Sequence, residues 1–185
     1  AGLTRLRQLC CHPALFVEGY EGSSAKYEQL MEILEDCRMT GRRVLVFSQF
    51  TQMLAIIRRQ LVKQGAPYFY IDGQTPPVER VSLCERFNNG EGDLFLVSLK
   101  AGGTGLNLTG ADTVILYDLW WNPAVEQQAA DRAHRMGQTN EVQVIRLVAK
   151  GTIEEKITQL QHRKQSLIEE VIHSEKDMLI SMSEE

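Results

Sequence analysis

The sequence predicts an α/β protein whose mostly parallel sheet lies between layers of helices. Short β-branched and aromatic runs recur along the chain, and helical periodicities fill the gaps between them. Two runs, Val44–Phe47 and Val114–Tyr117, are apolar for four consecutive residues. Strands buried on both faces read in that unbroken way, and alternation of strands with helices marks a parallel sheet.

Taken in order, the chain opens with Ala1-Gly-Leu-Thr-Arg-Leu-Arg7, which reads as the middle of a helix and hence as part of something longer. Ala25–Met39 carries Leu30, Ile33, Leu34 and Cys37 at helical spacing, with Gly41 as a stop. Arg43–Ser48 is the first strand. Thr51–Gln64 places Leu54, Ile57 and Leu61 on one stripe and closes at Gly65. After a strand at Tyr68–Ile71, Thr75-Pro-Pro77 opens a third helix, because proline suits a first turn whose N–H has no partner. Asp72-Gly73 has the composition of a hairpin turn, but a helix start follows it instead of a second strand.

Strands at Leu94–Ser98 and Thr113–Tyr117 come next, then Asn122-Pro123 as the cap and first turn of a fourth helix. Val142–Val148 is the last strand. Thr152-Ile-Glu-Glu155 has the form of a capping box and begins a long helix with Ile153, Ile157, Leu160, Leu167, Ile168, Val171 and Ile172 on one side. The resulting division is a lead-in helix and linker at 1–22, an α/β lobe at 23–150, a C-terminal helix at 151–173 and a tail at 174–185 expected to fray.

Composition narrows the function classes. A chain of 185 residues can remove about 70% of its unfolded surface from water. With 43% hydrophobic and 24% charged residues it is neither disordered nor of low complexity. No apolar run approaches the ~20 residues of a membrane span, and no secretory apolar region follows Arg5 and Arg7. A net charge of −4 argues against gripping nucleic acid by bulk basicity, though not against a few placed contacts. Cys10, Cys11, Cys37 and Cys84 contain no CxxC pair and read as reduced thiols of an intracellular protein. Cys10, Cys11 and His12 have no fourth ligand at sensible spacing, so no metal site is expected.

Two segments hold the candidate chemistry. Ala101-Gly-Gly-Thr-Gly105 follows a strand but lacks the lysine ending of a phosphate loop and the third glycine of a dinucleotide fingerprint. It is either a tight turn or, with Lys100, Thr104 and the amides of Gly102–Gly105, a surface for an anionic backbone. In Gln128-Ala-Ala-Asp-Arg-Ala-His-Arg-Met-Gly-Gln138 a helix would set Gln128, Arg132 and Arg135 on one face, a fork suited to phosphate. Alternatively Asp131 pairs with Arg135 and leaves an ordinary solvated helix. His134 lies off that face and reads as structural. Of Trp120 and Trp121, one packs inward while the other is free to stack on a base or sugar. No self-contained nucleophile constellation is present.

The ordered combination resembles the second RecA-like lobe of Swi/Snf-type DNA-translocating ATPases, in the second helicase superfamily. The likeness runs from Leu3 to about Val171. It rests on Leu6-Arg-Gln-Leu-Cys-Cys-His-Pro13, Val44-Leu-Val-Phe-Ser-Gln-Phe-Thr51 like motif four, and Ile71-Asp-Gly-Gln-Thr75. Leu99–Leu108 is like motif five, Trp121-Asn-Pro123 follows, Asp131–Gln138 is like motif six, and Thr152–Lys156 begins a bracing helix. The departures are Cys11 where asparagine is common, Thr104 where an aliphatic residue is, and Met136 where isoleucine is. The compact motif spacing is nearer to bacterial members than to eukaryotic ones with insertions.

The resemblance implies ATP with Mg2+ in a cleft between two lobes, the first lobe of the same polypeptide holding the metal. It implies Arg135 as an arginine finger and Arg132 steadying the γ-phosphate, with Gln128 beside them. Gly103, Gly105 and Asn107 would join the nucleotide to the DNA face. Ser48, Gln49, Ser98, Lys100, Thr104 and Trp121 would line a double-stranded DNA track, with DNA-bound proteins as remodelling targets and no membrane. The isolated lobe is expected to lack ATPase activity. The alternative is a non-catalytic nucleic-acid-binding or scaffolding module, separable by whether a phosphate loop lies upstream.

Overall fold

The computed structural model describes residues 2–102, 105–118, 123–134 and 141–183. Five parallel strands, β1 (Val44–Ser48), β2 (Phe69–Ile71), β3 (Leu94–Ser98), β4 (Thr113–Leu116) and β5 (Gln143–Arg146), form one sheet in the order β2-β3-β1-β4-β5. The helices are α1 (Gly2–Cys11), α2 (Ala25–Met39), α3 (Thr51–Lys63), α4 (Pro77–Asn88), the single turn α5 (Leu99–Gly102), α6 (Pro123–Asp131) and α7 (Ile153–Ser183).

Alternate residues of the central strands feed two cores. Val44, Val46, Leu96, Ile115 and Tyr117 face α1, α2 and α3, where Leu30, Leu54 and Ile57 meet them. Leu45, Phe47, Phe95, Val97 and Val114 face the layer of α4 and α6, with Phe87, Ala129 and Ala133. Every residue of β1, β3 and β4 is buried, as their apolar runs predict. The bounds of β3 match the expected ones, and the other four strands stop one or two residues short at one or both ends. Gly41 and Gly65 close α2 and α3 at φ of 68° and 66°, the left-handed stop their positions suggest.

At the amino ends of the strands, Arg43 binds three loops together. Its guanidinium donates to the carbonyls of Gly110 (2.8 Å), Gly92 (2.6 Å) and Phe87, and stacks 4.2 Å from the centre of the Phe87 ring. Asn88 completes the clamp, accepting from Gly110 N–H at 2.9 Å and donating to the Asn107 carbonyl at 3.0 Å. A Cβ on Gly110 would lie 2.8 Å from the Asn88 Cα, so Gly110→Ala must push backbone. It is expected to cost ~1–3 kcal/mol, the usual range for overpacking, measurable by urea unfolding.

The long helix α7 is anchored only by its first turns. Ile157 is fully buried, whereas Leu160, Leu167, Ile168, Val171 and Ile172 are 48–61% exposed. Gln161 donates to Glu126 Oε1 at 3.2 Å, and Glu126 also pairs with Arg146 at 2.9 Å, joining α7, α6 and β5. At its start the Thr152 hydroxyl accepts from Glu154 N–H (3.2 Å), while the Glu155 carboxylate reaches Gly151 N–H (2.9 Å). The helix continues to Ser183, through the stretch whose periodicity fades.

Candidate functional site

In an open parallel sheet, ligands bind outside the carboxyl ends of the strands, where successive connections leave to opposite faces. Here that divergence falls between the neighbours β1 and β4, because α3 follows β1 on one face and α6 follows β4 on the other. Four of the residues expected to form a nucleic-acid track, Ser48, Gln49, Ser98 and Lys100, collect at this edge. Ser48 ends β1 directly opposite Ser98 at the end of β3. Gln49 follows the first, and Lys100 stands exposed on the turn α5 after the second. Ser98 Oγ and Gln49 Nε2 are buried and have no hydrogen-bond partner among the described residues.

The second group of expected residues forms a separate junction. Leu108 N–H donates to the Arg132 carbonyl at 2.9 Å, which ties the motif-five segment to the motif-six segment. Gly105 turns the chain with φ of 75°. Asn107 is exposed, and its Oδ1 is used within its own turn, accepting from Thr109 N–H (3.3 Å) and hydroxyl (3.0 Å). The Arg132 Nε is buried without a partner among the described residues. Gln128 is exposed on α6.

One geometric expectation changes. The helix expected to carry Gln128 and Arg132 onward on one face ends at Asp131, before Arg132. Arg132 and Ala133 N–H tighten to the carbonyls three residues back, at 3.3 and 3.1 Å, as the Arg132 carbonyl turns to Leu108. Asp131 accepts from Gln127 Nε2 at 2.9 Å. Gly103, Thr104, Trp121 and Arg135, like Trp120 and the cap Asn122, lie outside the described residues.

Sequence reasoning passed over a buried polar network beneath the β1/β4 divergence. Asp118, one residue beyond the apolar run of the fourth strand, is 1% exposed. It accepts from the Ser48 hydroxyl, from Gln49 N–H at 3.1 Å and from the Cys11 thiol at 3.9 Å. Burial raises its pKa, opposed by the Ser48 and Gln49 bonds and by the charges of Lys26 and Arg7. Burial, with the Asp118 charge next to it, pushes the Cys11 thiol well up, so this cysteine is a packing group and not a nucleophile.

Lys26 donates to the Tyr117 carbonyl (2.8 Å) and pairs with Glu154, both side chains being almost fully buried. The Glu154 carboxylate also takes Ala149 N–H at 3.0 Å. The Tyr117 hydroxyl and Ser24 hydroxyl both donate to the Cys11 carbonyl. A visible signal existed for Asp118, since an acid directly after a buried strand is placed to accept loop N–H groups.

Comparison with known proteins agrees with this architecture. Residues 25–137 match the family described as Helicase conserved C-terminal domain. The chain is 45% identical over 179 residues to YwqA of Bacillus subtilis, covering 94% of this chain and 19% of that protein. It is 43% identical over 171 residues to the SWI/SNF-related matrix-associated actin-dependent regulator of chromatin subfamily A member 1 of Mus musculus, covering 85% of this chain and 16% of the other. The chain thus spans less than a fifth of the length of these two relatives. Among solved structures, the C-terminal part of the Fun30 ATPase domain superposes with a TM-score of 0.71 at 37% identity, covering 85% of this chain and 54% of that one. Its sheet is therefore that of a RecA-like lobe, and the chain belongs to the helicase C-terminal domain family, among the Swi/Snf-type ATP-dependent helicases.

Proposed function

We propose that this chain is the second lobe of an ATP-driven duplex-DNA translocase that remodels DNA-bound proteins, working with a first lobe of the same polypeptide. The observation that supports this most is the single segment 98–108, which joins two places with unspent polar groups. At one end stand Ser98, Gln49 and Lys100, and at the other the Leu108–Arg132 junction. Buried polar atoms are nearly always bonded, so buried groups without partners among the described residues favour a ligand there. A connected segment that touches both places suits coupling of nucleotide state to DNA grip.

ATP, when bound, supplies the γ-phosphoryl group that is transferred to water. On this side of the cleft Arg132 would hold the phosphate and Arg135 would neutralise charge as it leaves, with Gln128, Gly103, Gly105 and Asn107 nearby. The Arg132 Nε, buried without a hydrogen-bond partner among the described residues, fits an anion. Among the described residues no three His, Cys, Asp or Glu side chains group to hold a metal, so no role toward Mg2+ is assigned to them. Ser48, Gln49, Ser98, Lys100, Thr104 and Trp121 would contact the sugar–phosphate track. No helix among the described residues is long and apolar enough to cross a membrane.

An acidic lobe suits this work, because a moving motor needs releasable, sequence-independent phosphate contacts. In the full-length protein, Lys100→Gln is expected to lower the salt slope of duplex-DNA binding by about one, the contribution of a single phosphate contact, equally on unrelated sequences. An unchanged slope removes Lys100 from the track. Absence of any duplex binding by the full-length protein overturns the reading in favour of a scaffolding domain.

A further inference from the structure

The point where the loops after β1 and β4 part company is held by one carboxylate. Asp118 uses both oxygens there: Oδ1 takes Gln49 N–H, and Oδ2 takes the hydroxyl of Ser48 and the thiol of Cys11. The Ser48 oxygen in turn accepts Phe50 N–H at 3.1 Å, so two successive backbone amides of the turn depend on this side chain, one directly and one through Ser48. Burying an ionised carboxylate is costly, and an apolar side chain of similar volume would fill the space with less desolvation. What such a replacement would not do is fix the direction of the turn. The Gln49 side chain shows why direction matters: its backbone N–H is held by Asp118 while its own amide Nε2 is left without a partner among the described residues.

Resting on the translocase reading, we infer that Asp118 is a positioning residue that locks the Ser48–Gln49–Phe50 turn to the end of β4. The DNA-facing turn and the end of β4 then move as one body. Holding contact groups in place before the ligand arrives removes the cost of ordering them on binding. Asp118 touches neither ATP nor DNA in this scheme, and its effect is confined to DNA coupling.

The test uses the full-length protein and follows ATP hydrolysis against duplex-DNA concentration, with and without Asp118→Asn. The asparagine keeps the shape but carries an N–H2 where one acceptor stood. The DNA concentration for half-maximal stimulation is expected to rise roughly tenfold, the size of one lost charge-assisted hydrogen bond. The rate without DNA and the KM for ATP should stay within about twofold of wild type. Ser48→Ala also removes a proposed DNA contact, so it is read by amide exchange alone: Phe50 N–H, which the Ser48 hydroxyl oxygen accepts, should exchange faster.

Amide exchange provides an independent reading: Gln49 and Phe50 N–H should exchange faster in Asp118→Asn. Should that variant not fold, Ser48→Ala carries the exchange measurement, and unchanged exchange at Phe50 overturns the inference. An unchanged DNA midpoint overturns the inference, as does an equal fall in DNA-free and DNA-stimulated rates. A wild-type protein without DNA stimulation would overturn the translocase reading instead. In that case unchanged exchange at Gln49 and Phe50 would still overturn the positioning role, and faster exchange would support it.

Discussion

Arg135→Ala in the full-length protein is expected to lower the DNA-stimulated turnover number by ~10³-fold or more, the range seen when an arginine finger is lost in phosphoryl transfer. The loss should fall on kcat, with the KM for ATP nearly unchanged, because the finger acts on charge that develops only as the γ-phosphoryl group departs. Arg135→Lys should recover little. An ammonium is a compact point charge and cannot present the planar two-pronged fork of a guanidinium. Arg132→Ala should behave differently, raising KM as well, if Arg132 grips the phosphate in both ground and transition states. Steady-state kinetics on the three variants separates the roles, and full activity in Arg135→Ala would reject the finger assignment.

The second large effect concerns stability. Lys26 and Glu154 form an ion pair with 4% and 2% of their side chains exposed, linking α2 to the start of α7. Removing one partner strands the other charge in the interior, so Lys26→Met is expected to cost ~3–5 kcal/mol. For a domain of this size that is a fall of roughly 10 °C in Tm, read by circular dichroism on heating. The paired replacement Lys26→Met with Glu154→Leu should regain most of the loss, because no unpaired charge then remains. If Lys26→Met melted at the wild-type temperature, the pair would not be the anchor of α7. Glu154 also holds Ala149 N–H, so some loss should persist in the double variant.

Those two charged residues show where sequence reading stops. β1, β3 and β4 were legible because their apolar runs are unbroken, and the stops at Gly41 and Gly65 because a left-handed residue favours glycine. Ser48 and Ser98 end buried strands, with Gln49 and Lys100 one and two residues further on, but only the family resemblance joined them in one track. Lys26 reads as solvent-exposed until its partners are known, and they lie 91 and 128 residues away. Asp118 carried a signal of its own, directly after a buried strand, but not the identity of its partner Ser48 at a separation of 70.

The end of α6 was hidden for the same reason. Nothing in Ala130-Asp-Arg-Ala133 stops a helix by propensity, and the Arg132 carbonyl, which accepts from Leu108 N–H, has a partner far off in the sequence. The apolar stripe of α7 was readable as a stripe, but only the structure shows that, among the described residues, its packing on this lobe weakens after Gln161.

The central claim is that this lobe completes an ATPase instead of being one. ATP hydrolysis should therefore be measured side by side for the 185-residue chain and the full-length protein, each with and without duplex DNA. The account predicts no turnover by the chain alone and turnover by the full-length protein that duplex DNA accelerates. Hydrolysis by the chain alone, or full-length turnover indifferent to DNA, would contradict it.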